Sequence, residues 1–188
     1  MLLAPRTDKL DLNGDRLSKT LVIIDSNVDN PQQLAAGVVL GAAVRILDAE
    51  SDRITQITEI LREYISLETL HLVSHGSPGC IDLGDSQLSL DTIPEYATEI
   101  STWFSSSSPS LLLYGCNVAQ GDAGREFLDK LQQLTNAQIQ ASSTKVGNSE
   151  LGGNWQLDVA IAKGDSLRFF HCLRNMSTLN VLFPVSGS

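Results

Sequence analysis

"HLVSHGSPG" (His71–Gly79) and "LLLYGCNVAQG" (Leu111–Gly121) are the two stretches on which the fold turns. Each is an apolar run that stops at a reactive side chain beside a glycine: His75 followed by Gly76, and Cys116 preceded by Gly115. Short apolar runs bounded by turn residues read as strands covered on both faces. In an open parallel sheet, ligands sit outside the carboxyl ends of the strands. Both junctions fall at such ends. The chain between them holds one helical pattern and one turn-rich stretch, about what a crossover plus a small hairpin consumes. If the two strands are neighbours, His75 and Cys116 rise from adjacent positions on one rim.

The surrounding pattern supports that sheet. "LVIIDS" (Leu21–Ser26) is another apolar run ending in polar residues, and Pro31 after it suits the first turn of a helix. "AAVRIL" predicts a second strand ending at Asp48. Ile54, Ile57, Leu61 and Tyr64 recur at three and four, with Ile60 and Ile65 beside them, giving an amphipathic helix capped by Ser51 or Asp52. "LETLHLVSH" is the third strand, and "GSPGCIDLGDSQLSL" carries short apolar pieces fit for a small hairpin. A helix over Asp91–Phe104 has Pro94 in its first turn; "SLLLYGC" is the fourth strand; Gly121–Leu134 is a helix with Phe127, Leu128, Leu131 and Leu134 on one stripe. "AQIQASS" is the fifth strand, and "VGNSELGGNWQLDVAIA" reads as a loop leading into a strand centred on Trp155 to Ile161. Strands alternating with helices predict an α/β fold with a mostly parallel central sheet flanked by helices on both faces. No internal repeat is present. Three segments follow: a lead-in over residues 1–19, an α/β domain over 20–163 and a poorly patterned tail over 164–188.

Composition narrows the function. A chain of 188 residues, 42% hydrophobic and 19% charged, is long enough for one well-buried core and too apolar for wholesale disorder. A formal net charge of -9 with scattered basic residues argues against binding nucleic acid through its phosphates. It favours basic peptides over acidic ones as partners. Three cysteines, Cys80, Cys116 and Cys172, are too few and too odd in number for a disulfide framework. No stretch approaches the roughly 18 apolar residues of a membrane span. The start, "MLLAPRTDKLDLNGDR", turns polar too soon for a secretory signal peptide. The sequence leaves the oligomeric state open.

Two readings of the glycine junctions stand side by side. In one, His75 merely leaves a strand, Cys116 is a small buried hydrophobe and the glycines turn the chain. In the other, Cys116 is a nucleophile and His75 its proton-transfer partner, a pair that cleaves acyl bonds and needs no metal or other cofactor. The N–H groups of Gly76 and Cys116 would then form an oxyanion hole, each donor worth about 2.7–4 kcal/mol. Gly115 would let a substrate backbone lie against the strand end without meeting a Cβ. The coincidence of two such junctions on adjacent crossovers favours the pair.

Several residues have plainer roles. Cys80 is expected to pack in a loop, since zinc would need better-spaced ligands than His75, Cys80 and Cys116 provide. His71 is expected in the core of its strand, and Trp155 in sheet packing. Asn117 is read as an N-cap of the following helix and Asp122 as a first-turn carboxylate. His171 and Cys172 are adjacent, point opposite ways on a strand, and make a poor catalytic pair.

An apolar strand ending in His-Gly, followed by a second ending in Cys, resembles the caspase-like cysteine peptidases: caspases, metacaspases, gingipains, clostripain and separase. "LVIIDSNVDN", "HLVSHGSPG", "LLLYGCNVAQGDAG" and "LGGNWQL", in this order, are similar to the bacterial domain of unknown function 4347, a caspase-like family. The likeness covers about residues 20–160. It implies a caspase-like three-layer sandwich, with Cys116 as nucleophile and His75 as its partner in a cysteine endopeptidase. That enzyme would act on a peptide or protein, its own chain or a neighbouring surface or secreted one. An extracellular or cell-surface location is implied in the same way. The alternative that the resemblance allows is a non-catalytic module serving secretion, adhesion or assembly, because folds outlive chemistry. The chain also departs from the pattern. Tyr114-Gly115 precedes the cysteine where several of these families have Ala or Asp, and Asp25 stands at the end of the first strand where caspases keep an arginine. Asp25 either lines a specificity pocket that selects Arg or Lys or caps the turn at Ser26-Asn27.

Overall fold

A computed structural model describes residues 17–162 of the chain. The tail, with His171 and Cys172, lies outside the described residues, as does most of the lead-in. Within the described residues, nine strands and four α-helices follow one another as β1 (Thr20–Ile24), α1 (Pro31–Ala36), β2 (Ala43–Ile46), α2 (Arg53–Arg62), β3 (Thr69–Val73), β4 (His75–Ser77), β5 (Cys80–Leu83), β6 (Ser86–Ser89), α3 (Ile93–Ile100), β7 (Ser110–Tyr114), α4 (Gly121–Thr135), β8 (Gln138–Ala141) and β9 (Val159–Ile161).

The main sheet has the order β2-β1-β3-β7-β8-β9. All its neighbours are parallel except β8 and β9, which are antiparallel. The chain therefore moves outward from β1 to β2, then returns across β1 to β3 and continues the other way. Right-handed crossovers in opposite directions put their helices on opposite faces. Accordingly α1 contributes Leu34 and Ala35 to one face, over Val22, Ile24, Leu112 and Tyr114. Helices α2, α3 and α4 bring Ile54, Ile57, Ile93, Ile100, Phe127, Leu128 and Leu131 to the other, over Leu21, Ile23, Leu70, Leu72, Leu111 and Leu113. Alternate residues of each strand serve the two cores, as a pleat requires.

Among the described residues, helices thus do lie on both faces of a largely parallel sheet, three on one side and a single short one on the other. The second face is completed by Val146, Trp155 and Leu157 from the long connection between β8 and β9. Trp155 lies in that connection, outside β9. The strand expected there is shorter because "NWQL" packs inward as loop, with Trp155 against Tyr114 at 6.2 Å between ring centroids.

The hairpin expected after His75 is a separate three-stranded antiparallel sheet, β4-β5-β6. His75 opens β4; it is the first residue of this small sheet and not simply the last of β3. Ile81, Leu83 and Leu88 are buried in the main core. The pairs His75–Asp82, Ser77–Cys80 and Asp82–Gln87 put the other row on the opposite face.

Candidate functional site

Four strand ends converge at the carboxyl edge of the main sheet: residues 25–27 after β1, 74–76 after β3, 115–117 after β7 and 142–146 after β8. The chain reverses its direction of travel between β1 and β3, the place where such sheets form a crevice.

The two glycine junctions meet there. β3 and β7 are in register through Val73 and Tyr114, and the N–H of Ser74 donates to the Tyr114 carbonyl at 3.1 Å, extending the pairing by one residue. Gly115 then lies under the second junction, so closely that a Cβ on it would stand 3.1 Å from the His75 carbonyl and 3.3 Å from the Gly76 Cα. A Cβ on Gly76 would stand 2.7 Å from Val118 Cγ2 and 3.1 Å from the Gly115 Cα. Neither position has room for a side chain. This backbone-on-backbone contact brings His75 and Cys116 to neighbouring places on the rim.

His75 is exposed, and its Nε2 lies 3.1 Å from the backbone carbonyl of Asn27. A carbonyl only accepts, so this contact suits an Nε2–H donor, and in the neutral ring that tautomer makes Nδ1 the acceptor. Cys116 is half-buried, its thiol directed at the Val146 carbonyl at 3.5 Å. No acceptor for the Cys116 N–H is found among the described residues. Asn117 adopts a left-handed conformation, φ 60°, and its carbonyl receives the Gln120 N–H. Helix α4 begins only at Gly121, so Asn117 turns the chain behind the cysteine and does not cap the helix as expected. Asp122 does occupy the first turn of α4.

The side wall beyond Cys116 comes from the connection after β8. Thr144 accepts the Asn117 N–H and Ser142 the Ala119 N–H through their carbonyls. Ser143 and Asp158 are joined by hydrogen bonds through both backbone and hydroxyl, which ties the two ends of this excursion together.

Asp25 has no exposed surface, and Arg53 is 3% exposed. Arg53 Nε lies 2.8 Å from Asp25 Oδ1, an ionic contact without the alignment of a directed hydrogen bond. The expected pocket role does not fit this placement, because a buried carboxylate whose charge Arg53 balances has no face to offer a ligand. Its side chain does not cap the turn either: the Val28 N–H donates to the backbone carbonyl of Asp25. Sequence reasoning missed Arg53 altogether and saw Asn27 only as part of a turn. One signal was available, since a cation in the first turn of a helix opposes the helix dipole and implies another partner.

Cys80 and His71 sit where their charged forms are disfavoured. Burial, with Asp82 beside it, pushes the Cys80 thiol up to about 11. Burial also lowers His71 to about 4; its ring stacks on Tyr114 with centroids 5.9 Å apart. Among the described residues, no group of three or more His, Cys, Asp or Glu side chains is arranged to hold a metal, and no helix is long and apolar enough to cross a membrane.

Residues 21–175 match the family described as Domain of unknown function (DUF4347), and the chain belongs to that family. No curated protein and no solved structure matches the chain.

Proposed function

We infer that this domain is a cysteine endopeptidase of caspase-like type, with Cys116 as nucleophile and His75 as the group that moves the proton. The observation that carries this reading is the contact between the His75-Gly76 and Gly115-Cys116 backbones at the carboxyl edge of a parallel sheet. His75 Nε2–H is engaged by Asn27, which leaves Nδ1 to accept the Cys116 proton. The thiolate attacks the peptide carbonyl carbon, and the N–H groups of Gly76 and Cys116 receive the charge that develops on oxygen. His75 returns its proton to the leaving amine as the C–N bond breaks. Water then hydrolyses the thioester and restores the thiol. No cofactor enters this sequence. The substrate class is a peptide or protein, with the domain's own parent chain or a neighbouring surface protein as a natural target.

A thiol-directed probe near neutral pH should label Cys116 faster than Cys80, and His75→Ala should slow that labelling by at least about tenfold. Wild type should cut members of a peptide library that Cys116→Ala leaves intact, read by mass spectrometry. Equal, sluggish labelling with no cleavage would leave the non-catalytic module as the reading.

A further inference from the structure

The buried guanidinium of Arg53 does more than balance Asp25. Its Nη2 lies 3.3 Å from Ser26 Oγ and 3.3 Å from Asn27 Oδ1, so it bridges consecutive residues of the turn that follows β1. The next group along is the Asn27 carbonyl, which holds the His75 ring. The guanidinium is itself fixed from behind. A Cβ on Gly84, in the β5–β6 turn, would fall 2.1 Å from Arg53 Cζ, so the glycine leaves the slot that the side chain fills. One residue earlier, Asp52 caps α2 by accepting the Thr55 N–H, and its other oxygen is held by Ser86 and Tyr96. Helix α2, the small sheet and the β1 turn are therefore locked to one another around a single buried cation.

The geometry points to Arg53 as a positioning residue for His75: by clamping Ser26 and Asn27 it holds the Asn27 carbonyl where it fixes the imidazole in its Nε2–H form. The consequence for catalysis rests on the Cys116–His75 reading; the consequence for the ring does not. Asp82 faces the imidazole across the strand pair, and the Asp25–Arg53 pair lies beneath the turn.

Removing Arg53 outright strands Asp25 in the core and risks the fold, so the link is best cut at its exposed end. Asn27→Ala keeps the backbone carbonyl and the buried ion pair but deletes the oxygen that Arg53 grips; Asn27→Asp restores an oxygen there. In ¹⁵N spectra of the three histidines, wild type and Asn27→Asp should show His75 as Nε2–H, whereas Asn27→Ala should show a mixture of ring forms. The pH–rate profile of Cys116 labelling should shift in Asn27→Ala alone, with the maximal rate down by about tenfold. Unchanged ring spectra in a folded Asn27→Ala protein would overturn the clamp, whatever happens to the thiol. Altered ring spectra together with a thiol indifferent to His75→Ala would uphold the clamp and remove the peptidase reading instead.

Discussion

Arg53 and Asp25 sit where neither ion can be replaced singly without cost. Both side chains are at most 4% exposed. Breaking a buried pair by removing one partner typically destabilises by about 3–5 kcal/mol, while replacing both with apolar residues is often neutral. Arg53→Met should therefore lower stability in urea by about that amount, and Asp25→Leu with Arg53→Met should recover most of it. His71 makes a second residue-scale claim. The folded chain keeps this imidazole neutral down to about pH 4, whereas the unfolded chain protonates it below 6.5. The unfolded state binds the extra proton, so stability falls as pH drops through that window, by roughly 3 kcal/mol in all. Urea melts at pH 7 and pH 4.5 should show His71→Gln losing less than wild type between the two.

At the scale of elements, the junction between β4 and the β7 exit depends on the absence of two Cβ atoms. Gly76→Ala must push Val118 aside and still meets the Gly115 Cα, so it should cost about 1–3 kcal/mol. Val118→Ala in the same chain should return only part of that, measured by thermal melting, because the backbone contact remains. The strands that position this junction were legible in sequence, since each is a short apolar run closed by turn residues, and so was α2, whose cap proves to be Asp52 of the two candidates Ser51 and Asp52. Its covering was less so. "NWQL" carries the alternation of a strand, yet Trp155 is held by Tyr114 and the strand starts at Val159. Alternation reports which side chains face inward, and a loop pressed against a sheet satisfies it as well. Asp25 was misjudged for a related reason: a carboxylate at a strand end looks available until the buried cation from another helix is seen.

Taken whole, the molecule gives its two sheet faces very different coats. Among the described residues, three helices cover one face, while the other rests on α1 and the 146–157 connection. Opening is easiest where buried contacts are fewest, so within the described residues limited proteolysis should cut first between Gly147 and Gly153, and Trp155→Ala should speed that cut without lowering the thermal midpoint in proportion. The approach of the His75-Gly76 and Gly115-Cys116 backbones was foreseeable from strand adjacency alone; the buried cation behind it was not, because it joins three elements distant in sequence. That three-way joint leaves a mark that heredity can read. Gly84 has φ 60°, a conformation that asparagine also tolerates, yet any β-carbon there collides with the guanidinium. Among descendants of a common ancestor, asparagine at 84 should then accompany only a shorter residue at 53, and the two positions should drift together through evolution.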